Sequence, residues 1–450
     1  MIQSASTKNS FGDLYMKVEK VYKVKNHQLN SIPTVDFVDG GYEMQVLNVY
    51  NEKIADIQGF GGAFTESAAY NYFLANPEVK RAMLEYLFGE SGLQYNYCRL
   101  CIASSDFALD EYCYVQDNDY TLETFSIERD RKYVIPFLKD ALEYTNGNIY
   151  LFASPWSPPT FMKTTDSRFF GGKLKKDCYE LYAEYIIKFL QAYLKEGIKI
   201  SALTLQNEPK AIQTWESCYF STEDEIEYAK VLRKVLDKYN FSDVKLYCWD
   251  HNKERVFEKA NAIFNAAGDV IDGIGYHWYS GEHFDGVRLV KQKFSNKFLF
   301  ASEFCLSEKE DHVDSKFANE IMNDLNCGSN AICEWNLILD ENGGPYHNRK
   351  GGCTAPIMFD TKTGEVAKSE TYYDMFIFSH FIKKGAISLY TSSYTKDIQL
   401  SAFENPNGET VVVINNLGKK RKDTRLYINN QFYHIPLDSK AQYVLLISKV

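Results

Sequence analysis

No run of apolar residues in this 450-residue chain is both long enough and free enough of charge to span a bilayer. The first eight residues, Met1-Ile2-Gln3-Ser4-Ala5-Ser6-Thr7-Lys8, hold no apolar core of the kind a secretory leader needs. Positive charge is in deficit. Lys and Arg number 50 against 60 Asp and Glu, a formal net charge of −10, which argues against nucleic acid or an anionic membrane as the main partner. Internal repeats, low-complexity tracts and flexible linkers are absent. The 10 cysteines show no full set of metal-ligand spacings. Cys98-x-x-Cys101 looks like half a zinc site, but it lies inside an apolar run and no second pair matches it. The expectation is a cytoplasmic protein with reduced, buried cysteines, no metal and no other cofactor.

Two short segments carry most of the information. An apolar run over 200–205 leads into Gln206-Asn207-Glu208-Pro209, and another over 297–301 leads into Ser302-Glu303. A buried strand that ends in a carboxylate is costly unless the acid has a partner or a task. Two such acids suggest a shared rim of a barrel, and paired carboxylates at a rim suit glycoside hydrolysis. The length exceeds one small core and fits a large barrel with an accessory domain. Aromatics reach 15%, which fits a sugar cleft, although most of them must be core.

The middle of the chain alternates strand-like and helix-like patterns eight times. The predicted strands are 57–63, 95–103, 148–153, 200–205, 244–249, 271–276, 297–301 and 331–337. Most are continuous apolar runs, as parallel strands buried on both faces require. Asn76-Pro77 opens a helix over 78–88. Asp177 is expected to cap a helix with Leu181, Tyr185, Phe189 and Tyr193 on one stripe, ending at Gly197. Thr222-x-x-Glu225 reads as a capping box before a helix over 226–239, and 369–384 is the last helical pattern. The fold class is therefore α/β, a (β/α)8 TIM barrel over 51–385. Strand patterns at 18–24 and 41–49, and at 398–404, 410–415, 423–428 and 443–447, fall outside it. Asn405-Pro406-Asn407-Gly408 is a hairpin turn between two of these. Residues 1–50 and 386–450 are expected to build one side β-sandwich.

The strand ends supply the chemistry. Glu208 ends the fourth strand and Glu303 the seventh. One carboxyl must hold a proton near neutral pH and the other must be ionised. Asn207 suits a hydrogen bond to a sugar 2-hydroxyl. Ser104-Ser105-Asp106, Pro155-Trp156-Ser157, His277-Trp278-Tyr279 and Trp335-Asn336 follow the second, third, sixth and eighth strands. An indole can stack on a pyranose, and Asp, Asn and His can take its hydroxyls. Each also has a plain structural reading. Trp156 and Trp335 could be core, Asp106 a loop cap, His277 a satisfied rim histidine, and either glutamate a salt-bridge partner.

With these residues in place, the chain resembles glycoside hydrolase family 30, in its glucosylceramidase-like, acid β-glucosidase branch. The matching segments are Gly59-Phe60-Gly61-Gly62-Ala63-Phe64-Thr65-Glu66, Arg99 through Ala103-Ser104-Ser105-Asp106-Phe107, Ala153-Ser154-Pro155-Trp156-Ser157-Pro158-Pro159-Thr160, Gln206-Asn207-Glu208-Pro209, His277-Trp278-Tyr279, Phe300-Ala301-Ser302-Glu303, and Trp335-Asn336-Leu337 with Gly343-Gly344-Pro345. The resemblance implies a barrel with a side β-sandwich, a retaining mechanism and no metal. It implies that Glu208 is the acid/base and Glu303 the nucleophile. It also implies that Asp106, Trp156, Asn207 and Trp335 contact sugar, and that His277 and Tyr279 line the pocket. Arg99 matches a buried arginine beside the nucleophile, where it would supply a counter-charge. The stretches 210–218 and 346–354, the second with Lys350 and Gly351-Gly352, depart from the lysosomal animal branch and look bacterial. They are expected to shape the leaving-group side, so ceramide is not implied.

The reading is a retaining β-glycosidase acting on terminal β-glucosyl units of a carbohydrate or glycoside substrate, with the two carboxyl groups about 5–5.5 Å apart. The rivals are a β-1,6-glucanase, β-xylosidase or β-fucosidase on the same scaffold, and a non-catalytic carbohydrate-binding protein. A metal-dependent barrel hydrolase would need a His-x-His pair ending the first strand, and 59–64 has no histidine. The sequence sets no oligomeric state.

Overall fold

The structure, a computed structural model, describes residues 16–34, 45–307 and 316–449. The leader reading of residues 1–8 and positions 41–44 of the strand expected over 41–49 lie outside them.

Eight parallel strands close into a barrel in chain order. They are β1 (Gly59–Phe64), β2 (Tyr97–Ile102), β3 (Tyr150–Pro155), β4 (Ala202–Thr204), β5 (Lys245–Asn252), β6 (Gly273–His277), β7 (Phe298–Glu303) and β8 (Ala331–Glu334). Pairing of β8 with β1, from Ala331 opposite Gly59 to Glu334 opposite Gly62, completes the ring. All eight fall on the expected apolar runs.

The interior is layered by the two-residue period of a strand. Tyr97, Phe152, Ala202, Tyr247, Phe300 and Ala331 form an apolar plug. The ring centroids of Tyr247 and Phe300 lie 4.9 Å apart, and Phe152 meets Phe300 edge-on at 5.2 Å. Two residues further along their strands stand Arg99, Ser154, Thr204 and Ser302, all buried. The lining thus changes from rings to charge and hydroxyl in one step. In β5 the register shifts between Trp249 and His251, with φ of 68° at Trp249 and 49° at Asp250. This bulge brings Asp250 inward, where strict alternation from Tyr247 would have placed Trp249. Strand β1 is glycine-rich because β2 presses on it: a Cβ on Gly61 would lie 1.9 Å from the Tyr97 carbonyl oxygen.

The helices refine three expectations. Pro77–Phe88 forms as expected, with Asn76 accepting from the Val79 N–H. Asp177 is no cap. It sits in a 3-10 turn, Lys176–Cys178, and the helix Tyr179–Lys195 starts after it without a side-chain cap. The capping box lies one residue earlier than expected, between Ser221 and Asp224, and opens Thr222–Lys238. That frees Glu225, fully buried, to accept the Trp249 N–H at the bulge (2.9 Å). The last helix spans only Glu370–Ser379, after which Phe381 N–H bonds to the Phe378 carbonyl in a tighter turn.

The strands outside the barrel form one nine-stranded sheet. Its order is Gln28–Ile32, Met16–Lys25, Ala441–Lys449, Thr410–Asn416, Ile398–Glu404, Ile387–Ser393, Val46–Asp56, Lys422–Ile428 and Gln431–Leu437. The sheet folds over on itself as a sandwich: Tyr433 donates to the Met16 carbonyl (2.7 Å), and the Met16 N–H to Gln431 (3.0 Å). Val18, Leu47, Leu400, Val412, Leu426, Ile435 and Leu445 fill the space between. The strand Val46–Asp56 runs past residue 50 before the barrel starts. The strands Gln28–Ile32, Ile387–Ser393 and Gln431–Leu437 were not expected: the first two are largely polar and the third carries Pro436. Among the described residues no helix is long and apolar enough to cross a membrane.

Gly61→Ala is expected to cost about 3 kcal/mol or more, read as a lower urea midpoint, because the methyl meets backbone. On the helix Phe284–Lys293, Gly286→Ala would meet only Val256 at 3.4 Å and the Lys253 carbonyl at 3.6 Å. It is expected to be neutral or to gain up to about 1 kcal/mol.

Candidate active site

Arg99 occupies the centre of the upper barrel, with no solvent exposure. Its Nε donates to Ser154 (3.0 Å), and its Nη2 to Asn207 Oδ1 (2.9 Å) and Asp250 Oδ2 (2.7 Å). Its Nη1 donates to Glu303 Oε2. Asp250 accepts further bonds from Thr204 (2.7 Å), Ser154 (3.1 Å) and Ser302 (2.6 Å). Burial alone would raise the Asp250 carboxyl, but Arg99 and then His277 hold it well below the usual carboxylate range. Trp156 and Trp335 stack at 5.2 Å and 22°, and the guanidinium lies 4.7 Å and 5.5 Å from their ring centroids.

The two glutamates both approach His277 Nδ1, Glu208 at 3.1 Å and Glu303 at 3.9 Å. Glu303 is the last residue of β7, and Tyr279 donates to its Oε1 at 3.1 Å. Glu208 lies four residues beyond β4 at a φ of 45°, its N–H bonded to the Asp250 carbonyl (2.9 Å). Ala103 and Asn336, past the ends of β2 and β8, also take positive φ (65° and 44°). Such strained turns outside glycine cluster where side chains must be aimed. His277 Nδ1 is 3.1 Å from Glu208 Oε1, and its Nε2 is 3.0 Å from Asp250 Oδ1. The facing oxygens of Glu208 and Glu303 and a ring nitrogen of His277 all lie within 4.8 Å of one another.

Burial opposes a charge on His277, yet Glu303, Asp250 and Glu208 together raise it to about 9. Burial would likewise raise Glu208, but the His277 hydrogen bond and charge bring it below its ordinary value. The Glu208–His277 pair therefore holds one proton near neutral pH, and it rests on the ring. This differs from the expectation that the acid itself carries it. Glu208, Glu303 and His277 present donor atoms that could hold a cation, and the raised His277 means a proton competes for that ring nitrogen.

These groups open into a cavity of about 300 Å³ at the C-terminal rim, lined also by Asp106, Trp156, Trp215, Trp335 and Arg349. Asp106 pairs with Arg349 at 2.6 Å. Its burial pushes it up to about 6, although Arg349 pulls the other way. Arg349 lies 4.6 Å over Phe107 and 5.7 Å over Trp215. Trp156 and Trp335 are each 2% exposed, so they offer edges to the cavity rather than open platforms. A wider cavity of about 410 Å³ at the opposite mouth, under Tyr97, Tyr150 and Tyr247, holds neither glutamate.

Asp106, Trp156, Asn207, Glu208, Tyr279, Glu303 and Trp335 line this cavity, whereas Arg99 and His277 lie behind it with no exposure, so His277 backs the pocket instead of lining it as expected. Sequence reasoning missed Asp250, His251, Arg349 and the neighbouring Cys305 and Cys353. Asp250 had the same signal as Glu208, an acid directly after an apolar run. His251 lies beside it, with its buried Nδ1 unbonded and 3.8 Å from Glu208. Arg349 comes from an irregular loop with no periodic signal.

Two family models match the chain: the glycosyl hydrolase family 30 TIM-barrel domain over residues 57–382, and the family 30 beta sandwich domain over 385–443. The lysosomal acid glucosylceramidase of Mus musculus is 30% identical over 406 residues, 84% of this chain and 78% of that protein. Among solved structures, SrfJ from Salmonella typhimurium superposes with a TM-score of 0.91 at 29% identity, covering 96% of this chain and 99% of SrfJ. The endo-beta1,6-glucanase BT3312 superposes with a TM-score of 0.86 at 26% identity, covering 96% of this chain and all of that one.

The raised His277 predicts an alkaline loss of stability. A histidine bound more tightly to its proton when folded stabilises fully below its unfolded value of 6.5 and stops doing so above about 9. The decline is roughly 3 kcal/mol across that window. In His277→Gln it should vanish, with stability at pH 6.5 lower by about 3–5 kcal/mol because Glu208 loses its bonded cation and Asp250 and Glu303 keep only Arg99. Urea midpoints at pH 6.5 and 9 check both effects.

Proposed function

The chain belongs to glycosyl hydrolase family 30, and on that premise we propose that it is a retaining β-glycosidase that removes terminal β-glucosyl units. The carrying observation is the approach of the two glutamates. Their facing oxygens lie within 4.8 Å, which supports direct attack by one of them over the wider spacing of an inverting site.

Glu303, oriented by Arg99 and Tyr279, attacks the anomeric carbon as the glycosidic bond breaks. The departing oxygen needs a proton at Glu208. As substrate displaces water, the lower polarity favours the neutral form of the Glu208–His277 pair, and the proton moves from Nδ1 to the carboxylate. Glu208 then passes it on. Afterwards Glu208 takes a proton from the water that hydrolyses the glycosyl-enzyme. Asn207, oriented by Arg99, is placed to meet the 2-hydroxyl. His251, with its buried, unbonded Nδ1 3.8 Å from Glu208, lines the cavity on the acid/base side.

The terminal-unit reading is supported by the Asp106–Arg349 pair, which walls the pocket beside the indoles. The glucosyl reading is supported by the likeness to the mouse glucosylceramidase. The likeness to an endo-beta1,6-glucanase favours a second reading, internal cleavage of a β-1,6-glucan.

Hydrolysis of a panel of nitrophenyl β-glycosides separates these readings. Release from the β-glucoside is expected, lost by at least about 10⁴-fold in Glu303→Gln. Glu208→Gln should lose about 10²–10⁴-fold on a phenyl glycoside but far less on the first turnover of a dinitrophenyl glycoside, whose leaving group needs no proton. NMR of the first-formed sugar should show the β-anomer, and the α-anomer would rule out retention. Preference for the xyloside or fucoside would replace the substrate. Activity on β-1,6-glucan alone would establish the second reading.

A further inference from the structure

We propose that Cys305 and Cys353 are a disulfide-forming pair in the wall of the active-site pocket, oxidised by a small-molecule disulfide that enters through that pocket. Their sulfurs lie 2.8 Å apart, in hydrogen-bonding contact, against about 2.05 Å for an S–S bond. No other two cysteine sulfurs among the described residues are in such contact, although the chain has 10 cysteines.

The backbone already holds the pair in place. Cys305 follows Glu303 by two residues and leads into the short strand Leu306–Ser307. That strand pairs antiparallel with Cys353–Thr354, with Ser307 opposite Cys353 and Leu306 opposite Thr354. Cys305 and Cys353 are therefore diagonal neighbours on one face of the ribbon. Both line the cavity that contains Glu303, so an oxidant small enough for the cavity reaches sulfur directly.

The surroundings assign different parts to the two sulfurs. Arg349 Nη2 donates toward Cys353 Sγ (3.7 Å), so a cationic donor stands beside this sulfur as it attacks. The contact with Cys353 holds the proton of Cys305 in place and raises its thiol. Cys353 is then the attacking sulfur and Cys305 the resolving one. The Cys353 thiolate attacks one sulfur of the small disulfide, its S–S bond breaks, and one thiolate leaves. The Cys305 thiolate attacks the mixed disulfide at Cys353, the protein S–S bond forms, and the second small thiolate leaves. The two protein thiol protons end on the two released thiols. The protein pair loses two electrons and the small disulfide gains them.

The bond would tie the segment just after Glu303 to the loop that carries Arg349. It would also take the Cys305 thiol from Tyr279, whose hydroxyl lies 3.5 Å from Cys305 Sγ and 3.1 Å from Glu303. Oxidation is therefore expected to lower turnover. The competing view is that both cysteines are only packing, among Phe107, Trp156, Trp335 and Ala355.

The test takes the full chain, fully reduced, and exposes it to hydroxyethyl disulfide. It is then denatured, alkylated and mapped by peptide mass spectrometry. The expected product is a Cys305–Cys353 cross-linked peptide with the other cysteines alkylated. Turnover of a nitrophenyl glycoside should fall several-fold and return with dithiothreitol. In Cys353→Ser, which lacks the attacking sulfur, the ratio of oxidised to reduced activity should be one, whereas Cys305→Ser should stop at the mixed disulfide on Cys353, read as a Cys353 peptide carrying the hydroxyethylthio adduct. Recovery of both cysteines alkylated, or of either bonded to a different cysteine, overturns the pairing. A cross-linked pair with unchanged turnover overturns its link to the site. The mass readout needs no substrate, so it stands or falls apart from the glycosidase reading.

Discussion

A guanidinium with no access to water sits inside the barrel, and the arrangement of the rim follows from the need to satisfy it. Burying Arg99 costs several kcal/mol before any partner is counted. The cost is offset by Asp250 and Glu303, with Ser154 and Asn207 completing the fork. A lysine could not span these four acceptors, because an ammonium has three donors at one point and no planar geometry. Each acceptor comes from a different strand or strand end, so one side chain fixes the mutual positions of β2, β3, β5, β7 and the turn after β4. Asp250 reaches that position only because β5 bulges, and the Trp249 N–H released at the bulge finds Glu225.

The same network sets the charge of the site. Formally, Arg99 and His277 contribute two positive charges against three negative ones from Glu208, Asp250 and Glu303. The surplus is one negative charge, enclosed by indoles above and phenyl rings below. In such low-polarity surroundings a fixed surplus acts strongly on whatever charge develops beside it. An oxocarbenium-like sugar is a cation, so this pocket is complementary to the transition state more than to a neutral glycoside. His277 tunes the balance, since its proton can rest on the ring or on Glu208 without changing the total.

The barrel was legible because parallel strands buried on both faces read as continuous apolar runs, and most of the eight did. The acids were legible because charge at the end of such a run demands a reason. That rule applies to Asp250 as well as to Glu208, but the apolar run before Asp250 ends in Trp249, which hides the bulge that turns it inward. Helix caps slipped by a residue because Ser221 and Thr222 are both good caps, and only the three-dimensional path of the chain selects between them. The strand Ile387–Ser393 was hidden because its end is hydroxyl-rich; Ser388 and Ser392 bond to the neighbouring strand Val46–Asp56 instead of packing. Arg349 was illegible for a different reason. Its role depends on a loop conformation, and loops carry no period.

On the proposed reading, that loop decides what the barrel accepts. The two glutamates sit at strand ends tied to Arg99 and its partners, and a TM-score of 0.86 to a protein named as an endo-beta1,6-glucanase leaves little of the scaffold to vary. Differences in substrate must then arise where the chain is free to change. Asp106 is 5% exposed and divides its hydrogen-bonding capacity between Arg349 and the cavity. Arg349 is pinned over Phe107 and Trp215, so a sugar chain continuing past this point would have to displace a cation from two rings and a carboxylate together. A single terminal ring requires none of that, and the Asp106 oxygen not engaged by Arg349 remains for its hydroxyls. On the proposed reading, the wall is an energetic one, built from a loop, and it sets the length of the substrate there rather than at the glutamates.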